Sequence, residues 1–312
     1  MDSGKKKIIY VGNFKKPFCT EVHIKASLVS LGHEVIPVQE DMGDSRCILR
    51  LIEEQKPDFL LYTKTWSKSY DWKFIKSKIY TVSWTLDLYH TLQRKTELKN
   101  NAFFHTHLVL SPDGGHDQEF KDNKVNHRYL KPGVFDQECY IGKYDADFDY
   151  DVVFVGSYLT YHEEWPHRKA LVDFLIKTYG PRFTFFPKER SIRGEDLNNL
   201  YATAKIVVGD SLYSPHYWSD RIYETTGRGG FLIHPKVEGI EEEFEYGKHI
   251  IGYNYWDFEG LKKKIDYYLE YPEEREIVRM AGHNMVKEKC TYVVRCEEML
   301  SIVNEEIKLW ER

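Results

Sequence analysis

A short stretch of the chain gathers Asp220, Arg221, Glu224 and Arg228, with Gly227, Gly229 and Gly230 around the last of them. Glu224 lies one helical turn beyond Asp220 and Arg221, so the three share a helical edge. A carboxylate there can accept hydrogen bonds from two vicinal hydroxyls, and Arg221 and Arg228 can pair with a diphosphate. A helix that needed only a stop would use one glycine, whereas three glycines beside an arginine let backbone approach an anionic ligand. The same residues also fit a plainer arrangement, a salt-bridged surface helix with a glycine cap.

Elements must hold this edge in place, and the chain alternates short apolar runs with stretches of helical period, the pattern of parallel βα units. Strands are expected at 7–12, 34–38, 58–63, 79–84 and 107–111, with helices near 20–31, 44–55, 70–77 and 115–121. The aromatic, acidic, turn-rich run from Pro132 to Tyr150 reads as a linker. A second series comes after it, with strands at 151–156, 182–186, 205–210, 230–235 and 248–253 and helices at 166–178, 195–203, 219–228, 257–270, 273–288 and 292–308. The expectation is an α/β protein of two tandem Rossmann-like, doubly wound parallel-sheet domains: 1–135, a linker 136–150, 151–290, and a C-terminal helix at 291–312 packing back on the first domain. Ligands of such sheets gather beyond the strands' carboxyl ends, so a cleft between the domains is the expected site.

Composition narrows the function classes. A net charge of −5 gives no whole-chain attraction to nucleic acid or to an anionic membrane. No run approaches the roughly 20 apolar residues that span a bilayer. The opening Met-Asp-Ser-Gly-Lys-Lys-Lys leads into a strand rather than a signal-peptide core, which points to a cytoplasmic protein. Five scattered cysteines form no CxxC pair and suit a reducing compartment.

Further candidates stand at strand ends. Gly156-Ser157 follows "DVVFV" and offers N–H groups to phosphate oxygens; Arg168, in "WPHR", adds positive charge at the start of the next helix. Asp210, Ser211, Tyr213 and His216 fill a long loop after "KIVVGD", with the hydroxyls and rings that sugars use. Neither "YVGNFKKP" nor "FVGSYLTY" supplies GxGxxG, which disfavours a nicotinamide dehydrogenase. The DxD-like "DADFD" at 145–149 falls in the expected linker, so no metal site is assigned.

"SDRIYETTGRGGFLIHP", "EGIEEEFEYGKHIIGY", "YYLEYPEEREIVRMAG" and "TYVVR", with "FVGSYLTYHEEWPHR" and "SPDGGHDQEF" upstream, resemble GT-B glycosyltransferases of the spore-maturation (CgeB-like) group over roughly residues 80–300. The resemblance implies a GT-B fold and sugar transfer from a nucleoside-diphosphate sugar, a UDP-sugar first, held mainly by the second domain. Glu224 then matches the carboxylate that holds the donor ribose. Arg221 and Gly227-Arg228-Gly229-Gly230 match the segment facing diphosphate and sugar. The wider group often has a second glutamate eight positions earlier, where this chain has His216.

In such enzymes the first domain presents the acceptor, whose hydroxyl must lose a proton to a carboxylate or histidine. Asp87 and His90 in "SWTLDLYH", and Asp113 and His116 in "SPDGGH", are the candidates, with Asp87 and His116 preferred and Gly12-Asn13 completing that side. A glycan or small-molecule acceptor comes first. Hydroxymethylated DNA stays open because lysines cluster at Lys5–Lys7, Lys73–Lys78 and Lys95–Lys99, as does a non-catalytic nucleotide-sugar-binding coat module. No tightly bound cofactor or metal is expected, since arginines and helix N–H groups can neutralise a leaving diphosphate.

Overall fold

A computed structural model describes residues 4–63, 70–87, 98–157, 165–187 and 192–312; His90 and Lys95 lie outside them. The chain divides into two compact units, unit 1 from residues up to Pro132 together with Tyr292–Arg312, and unit 2 from Gly133–Thr291.

Unit 1 is built on a parallel sheet in the order β2-β1-β3-β4-β5-β6. The strands are β1 (Lys7–Gly12), β2 (Glu34–Gln39), β3 (Phe59–Thr63), β4 (Thr81–Trp84), β5 (Leu108–Ser111) and β6 (His127–Tyr129). The inner strands β1 and β3 read as near-continuous apolar runs because helices cover both sheet faces; Ile8, Ile9, Leu60, Leu61 and Val82 are fully buried. The polar edge strand β6 carries no such run and was not expected from sequence. The helices α1 (Thr20–Ser30), α2 (Ser45–Gln55), α3 (Trp72–Lys76) and α4 (Asp117–Asp122) connect them. Helix α2 shows its limits plainly: Asp44 accepts from the Cys47 N–H at 2.8 Å, and Lys56 ends it at φ 47°.

Unit 2 has a parallel sheet in the order β11-β10-β9-β7-β8, from β7 (Val152–Val155), β8 (Phe183–Phe186), β9 (Ile206–Val208), β10 (Leu232–Pro235) and β11 (Ile251–Tyr253). Its helices are α5 (His167–Tyr179), α6 (Gly194–Thr203), α7 (Arg221–Gly227), α8 (Phe258–Glu270) and α9 (Pro272–Lys289). The two-residue strand period divides the core: Val153 packs with Tyr223 and Val286, and Val152 with Leu171 and Ile206 on the other face. The segment expected as a linker belongs to this unit, since Val134 and Cys139 are in its core and Gly142 passes tightly over the Asn198 backbone.

The last helix, α10 (Tyr292–Trp310), belongs to unit 1 and lies along α1. Glu306 fastens it to β6 by accepting from Arg128 Nε at 3.0 Å and Asn126 Nδ2 at 2.9 Å. No helix among the described residues is long and apolar enough to cross a membrane.

Each sheet reverses its direction of growth once. In unit 1 the chain places β2 on one side of β1 and β3 on the other; in unit 2 it places β8 and β9 on opposite sides of β7. The carboxyl ends of β1 with β3, and of β7 with β9, therefore form the two switch-point crevices where open α/β sheets take ligands.

Candidate functional site

The segments leaving β7 and β9 line the crevice of unit 2. Gly156 extends the β7–β8 pairing by donating its N–H to the Phe186 carbonyl at 3.0 Å, and Ser157 ends the described part of that loop. After β9 comes Asp210, whose carboxylate is sealed from solvent. It accepts three hydrogen bonds: from His167 Nδ1 at 2.8 Å, Arg168 Nε at 2.9 Å and Trp165 Nε1 at 3.1 Å. Burial pushes this carboxyl up, but the His167 hydrogen bond and the Arg168 charge outweigh it and hold the pKa below the ordinary value. Arg168 then spans the crevice, with Nη1 3.5 Å from the Ser157 carbonyl and its guanidinium 5.9 Å from the Phe154 ring centre.

Aromatic packing fixes the histidine. The His167 ring lies 5.0 Å from Tyr255 and from Trp256, and 5.6 Å from Trp165 and Phe258. At the end of β10, His234 Nδ1 donates to the Pro235 carbonyl at 2.8 Å, and burial takes its pKa down to about 4. The Nε2 atoms of His167 and His234 and the Tyr253 hydroxyl are buried without a hydrogen-bond partner among the described residues.

The loop from Asp210 into α7 is self-supporting. Ser211 Oγ accepts from the Ser219 N–H at 3.0 Å, and its carbonyl accepts from Tyr255 Oη at 3.0 Å. Asp220 accepts from Ser219 Oγ at 3.1 Å. His216, at φ 53°, sits against Gly239, where any added Cβ would fall 2.2 Å from its Nδ1. Burial disfavours the Arg221 cation, yet Tyr201, Asp220 and Glu224 together raise its pKa. Glu224 accepts from Arg228 Nε at 2.8 Å, the i,i+4 pair of the plainer sequence reading.

The glycine-arginine turn, expected to face the diphosphate, has packing constraints of its own. It precedes β10, so it lies at the amino edge of the sheet, opposite the crevice. A Cβ on Gly227 would meet Val134 at 2.9 Å, on Gly229 (φ 82°) Ile141 at 2.8 Å, and on Gly230 Thr225 at 2.8 Å. Arg228 is buried and its guanidinium is committed to Glu224, Glu138, Asn198 and the Gly194 carbonyl. It ties α6, α7 and the 133–150 segment together. From α9, Arg279 and His283 donate to the Gly229 and Gly227 carbonyls, both at 2.9 Å.

In unit 1, Asp113 and His116 form a pair beyond β5, with Nδ1 to Oδ1 at 2.6 Å and Asp113 buried. Asp87 follows the neighbouring strand β4 and is exposed; its carbonyl accepts from Thr85 Oγ1 at 3.3 Å. Ser111, His127 and Asp117 line up at 2.7 and 3.1 Å, but Ser111 is 1% exposed and serves to hold β5, β6 and α4 together rather than as a nucleophile. At the switch point itself sequence reading missed Glu21, which accepts from Thr63 Oγ1 at 3.2 Å beside Gly12. Burial, and then the Glu40 carboxylate, raise its pKa. The DxD-like run caps a turn, Asp145 accepting from the Asp147 N–H at 3.0 Å, and no metal-binding cluster occurs among the described residues.

Residues 145–301 match the model of the family described as glycosyl transferase-like, half of the chain. The chain belongs to that family. Among solved structures, Anabaena HepE in complex with UDP-glucose superposes with a TM-score of 0.66 at 13% identity, covering 96% of this chain and all of that one. Sucrose-phosphate synthase from Thermosynechococcus elongatus gives 0.67 at 12% identity, over 98% of this chain and 100% of that one. An E. coli trehalose-6-phosphate structure bound with UDP-2-fluoro glucose gives 0.62 at 10%, over 95% and 98%. Among curated proteins no match was found. This glycosyl transferase-like chain therefore has the GT-B architecture of two parallel-sheet α/β domains.

Proposed function

We propose that the protein takes a sugar from a nucleoside-diphosphate sugar, a UDP-sugar first, and transfers it to a hydroxyl of a glycan or small molecule. One observation carries the reading: in a glycosyl transferase-like chain, Arg168 and the amino end of the 13-residue helix α5 stand at the switch-point crevice of unit 2. That is an anion site by charge and by helix dipole. The UDP-sugar complexes of HepE and of the E. coli structure support UDP as the nucleotide.

In this reading Gly156, Ser157, Arg168 and Arg221 face the diphosphate, and Glu224 takes the ribose hydroxyls. Ser211, Asp220 and His216 shape the loop that borders the sugar. The acceptor oxygen attacks the anomeric carbon, the bond to the phosphate oxygen breaks, and the nucleoside diphosphate leaves with the electron pair. Arg168 and Arg221 stabilise that charge as it develops, without a metal or a tightly bound cofactor. The acceptor's proton passes to the Asp113–His116 pair or to Asp87 on unit 1. Membership of the CgeB-like subgroup and a cytoplasmic location belong to the same proposal. His216 favours a second reading, nucleotide-sugar binding without turnover, because it stands where the wider group has a glutamate.

Titration calorimetry with UDP, GDP and TDP, followed by mass spectrometry of each nucleotide sugar with a panel of hydroxyl acceptors, tests this. Binding of UDP with release of UDP from one UDP-sugar is expected. Binding without release selects the second reading, and no binding of any nucleoside diphosphate overturns both.

A further inference from the structure

Arg168 has a buried carboxylate behind it, and that pairing is more than the fold requires. The surroundings of Asp210 and His167 are aromatic, and a buried ion pair is commonly replaced by packed apolar groups at no loss of stability. A guanidinium is a rigid plane, so fixing Nε sets where its other four N–H groups point. Asp210 fixes Nε at 2.9 Å, His167 holds the second oxygen of the same carboxylate at 2.8 Å, and Trp165 adds a donor at 3.1 Å. The carboxylate thus cannot rotate without breaking bonds to two other side chains. Its chain position is equally fixed, since it lies two residues past β9 at the strand's carboxyl end.

We propose that Asp210, held by His167, is a positioning residue that aims the Arg168 guanidinium across the β7–β9 crevice at the diphosphate of the donor. The inference rests on the reading that unit 2 binds a nucleoside diphosphate, and adds that phosphate affinity is set by a carboxylate that itself touches no phosphate. The Arg168 cation offsets the negative charge placed behind it. His167 acts through the carboxylate and leaves its Nε2, in the aromatic cage, unpartnered among the described residues.

A double-mutant cycle on the full chain, read by calorimetry with UDP and with uridine, tests it. Arg168→Ala should weaken UDP about 10- to 100-fold, as loss of a charge-assisted bidentate contact does, with uridine little changed. Asp210→Asn, which keeps shape but loses the charge, should weaken UDP by about tenfold and have no further effect once Arg168 is alanine. His167→Gln should give a smaller loss in the wild-type background and none beside Arg168→Ala, and it carries the test if near-ultraviolet circular dichroism shows that Asp210→Asn does not fold. Losses that multiply in the double variant, equal losses for uridine and UDP, or wild-type UDP affinity in both Asp210→Asn and His167→Gln overturn the inference while the donor reading stands. Wild-type protein that binds no nucleoside diphosphate overturns both.

Discussion

The two units use one topological device and put opposite charge on it. At the β7–β9 crevice of unit 2 a carboxylate is buried but neutralised, with Arg168 in front and the Asp210 pKa held down. At the β1–β3 crevice of unit 1, burial and then the Glu40 carboxylate raise the Glu21 pKa, and the hydrogen bond from the Thr63 hydroxyl offsets only part of that rise. The difference teaches that strand order sets where a crevice lies, while the first turn of the helix that follows the strand sets its charge, Arg168 in α5 and Glu21 in α1. Unit 2 suits an anion. Unit 1 carries carboxyls there, Glu21 with Glu40 as the charge near it.

The largest effect that would break this contrast concerns Arg228, a cation of unit 2 at the wrong edge of the sheet. Arg228→Ala leaves Glu224 and Glu138 without their shared partner and should cost about 3 kcal/mol in urea unfolding, the lower end for a broken buried pair. Any loss of affinity in the folded protein should be equal for UDP and uridine, because Arg228 holds Glu224, the proposed ribose-binding carboxylate, and not the diphosphate. A loss for UDP alone, with unchanged stability, would put the anion site at the turn instead.

Acid sharpens the contrast next. His234 has a folded pKa of about 4 against an ordinary 6.5, so the folded state favours its neutral form. The stability this gives is intact above pH 6.5 and drains away as pH falls toward 4. By pH 5 the loss is about 2 kcal/mol if the histidine titrates only on unfolding. In unit 1, His107 is also depressed to about 4, by burial and then Lys76, but it is partly exposed and solvent screening shrinks its share. Replacing His234 by Gln should flatten the pH 7 to 5 fall in unfolding free energy more than the same change at His107. Equal flattening would remove this asymmetry between the units.

The smallest effect tests the acidic crevice directly. A carboxyl with a raised folded pKa stabilises below its ordinary value near 4.5 and loses that contribution as pH rises through the folded value. Glu21→Gln, which mimics the protonated form, should therefore leave stability at pH 7 unchanged or higher and leave it nearly unchanged at pH 4. A clear loss at pH 7 would mean that the charged form is the one the fold needs.

Much of this architecture was legible because parallel strands announce themselves: "KIIYVG", "FLLYT" and "DVVFV" have no polar alternation, and each lies within a residue of its expected place. The edge strand β6 escaped, as three polar residues at a sheet edge give no period. The Asp220–Glu224 edge was readable from helical spacing alone. What the glycines pack against was not: Ile141 lies far from Gly229 in sequence, so no local pattern shows the contact. Likewise "WPHR" and "KIVVGD" gave no sign of belonging together, because the adjacency of β7 and β9 depends on strand order, which no local pattern encodes.

The return of α10 to unit 1 has a consequence for how the protein is made. Unit 2 is an insertion whose ends meet, the Val134 N–H donating to the Cys290 carbonyl at 3.0 Å beside a Val134–Thr291 bridge. On the ribosome, unit 1 emerges first yet waits for its final helix while all of Gly133–Thr291 is translated, leaving the face of α1 that carries Ile24 and Leu28 without its cover. Unit 2, closed on itself, can finish folding before the unit that precedes it, so the amino-terminal half of the sequence is the later half to mature.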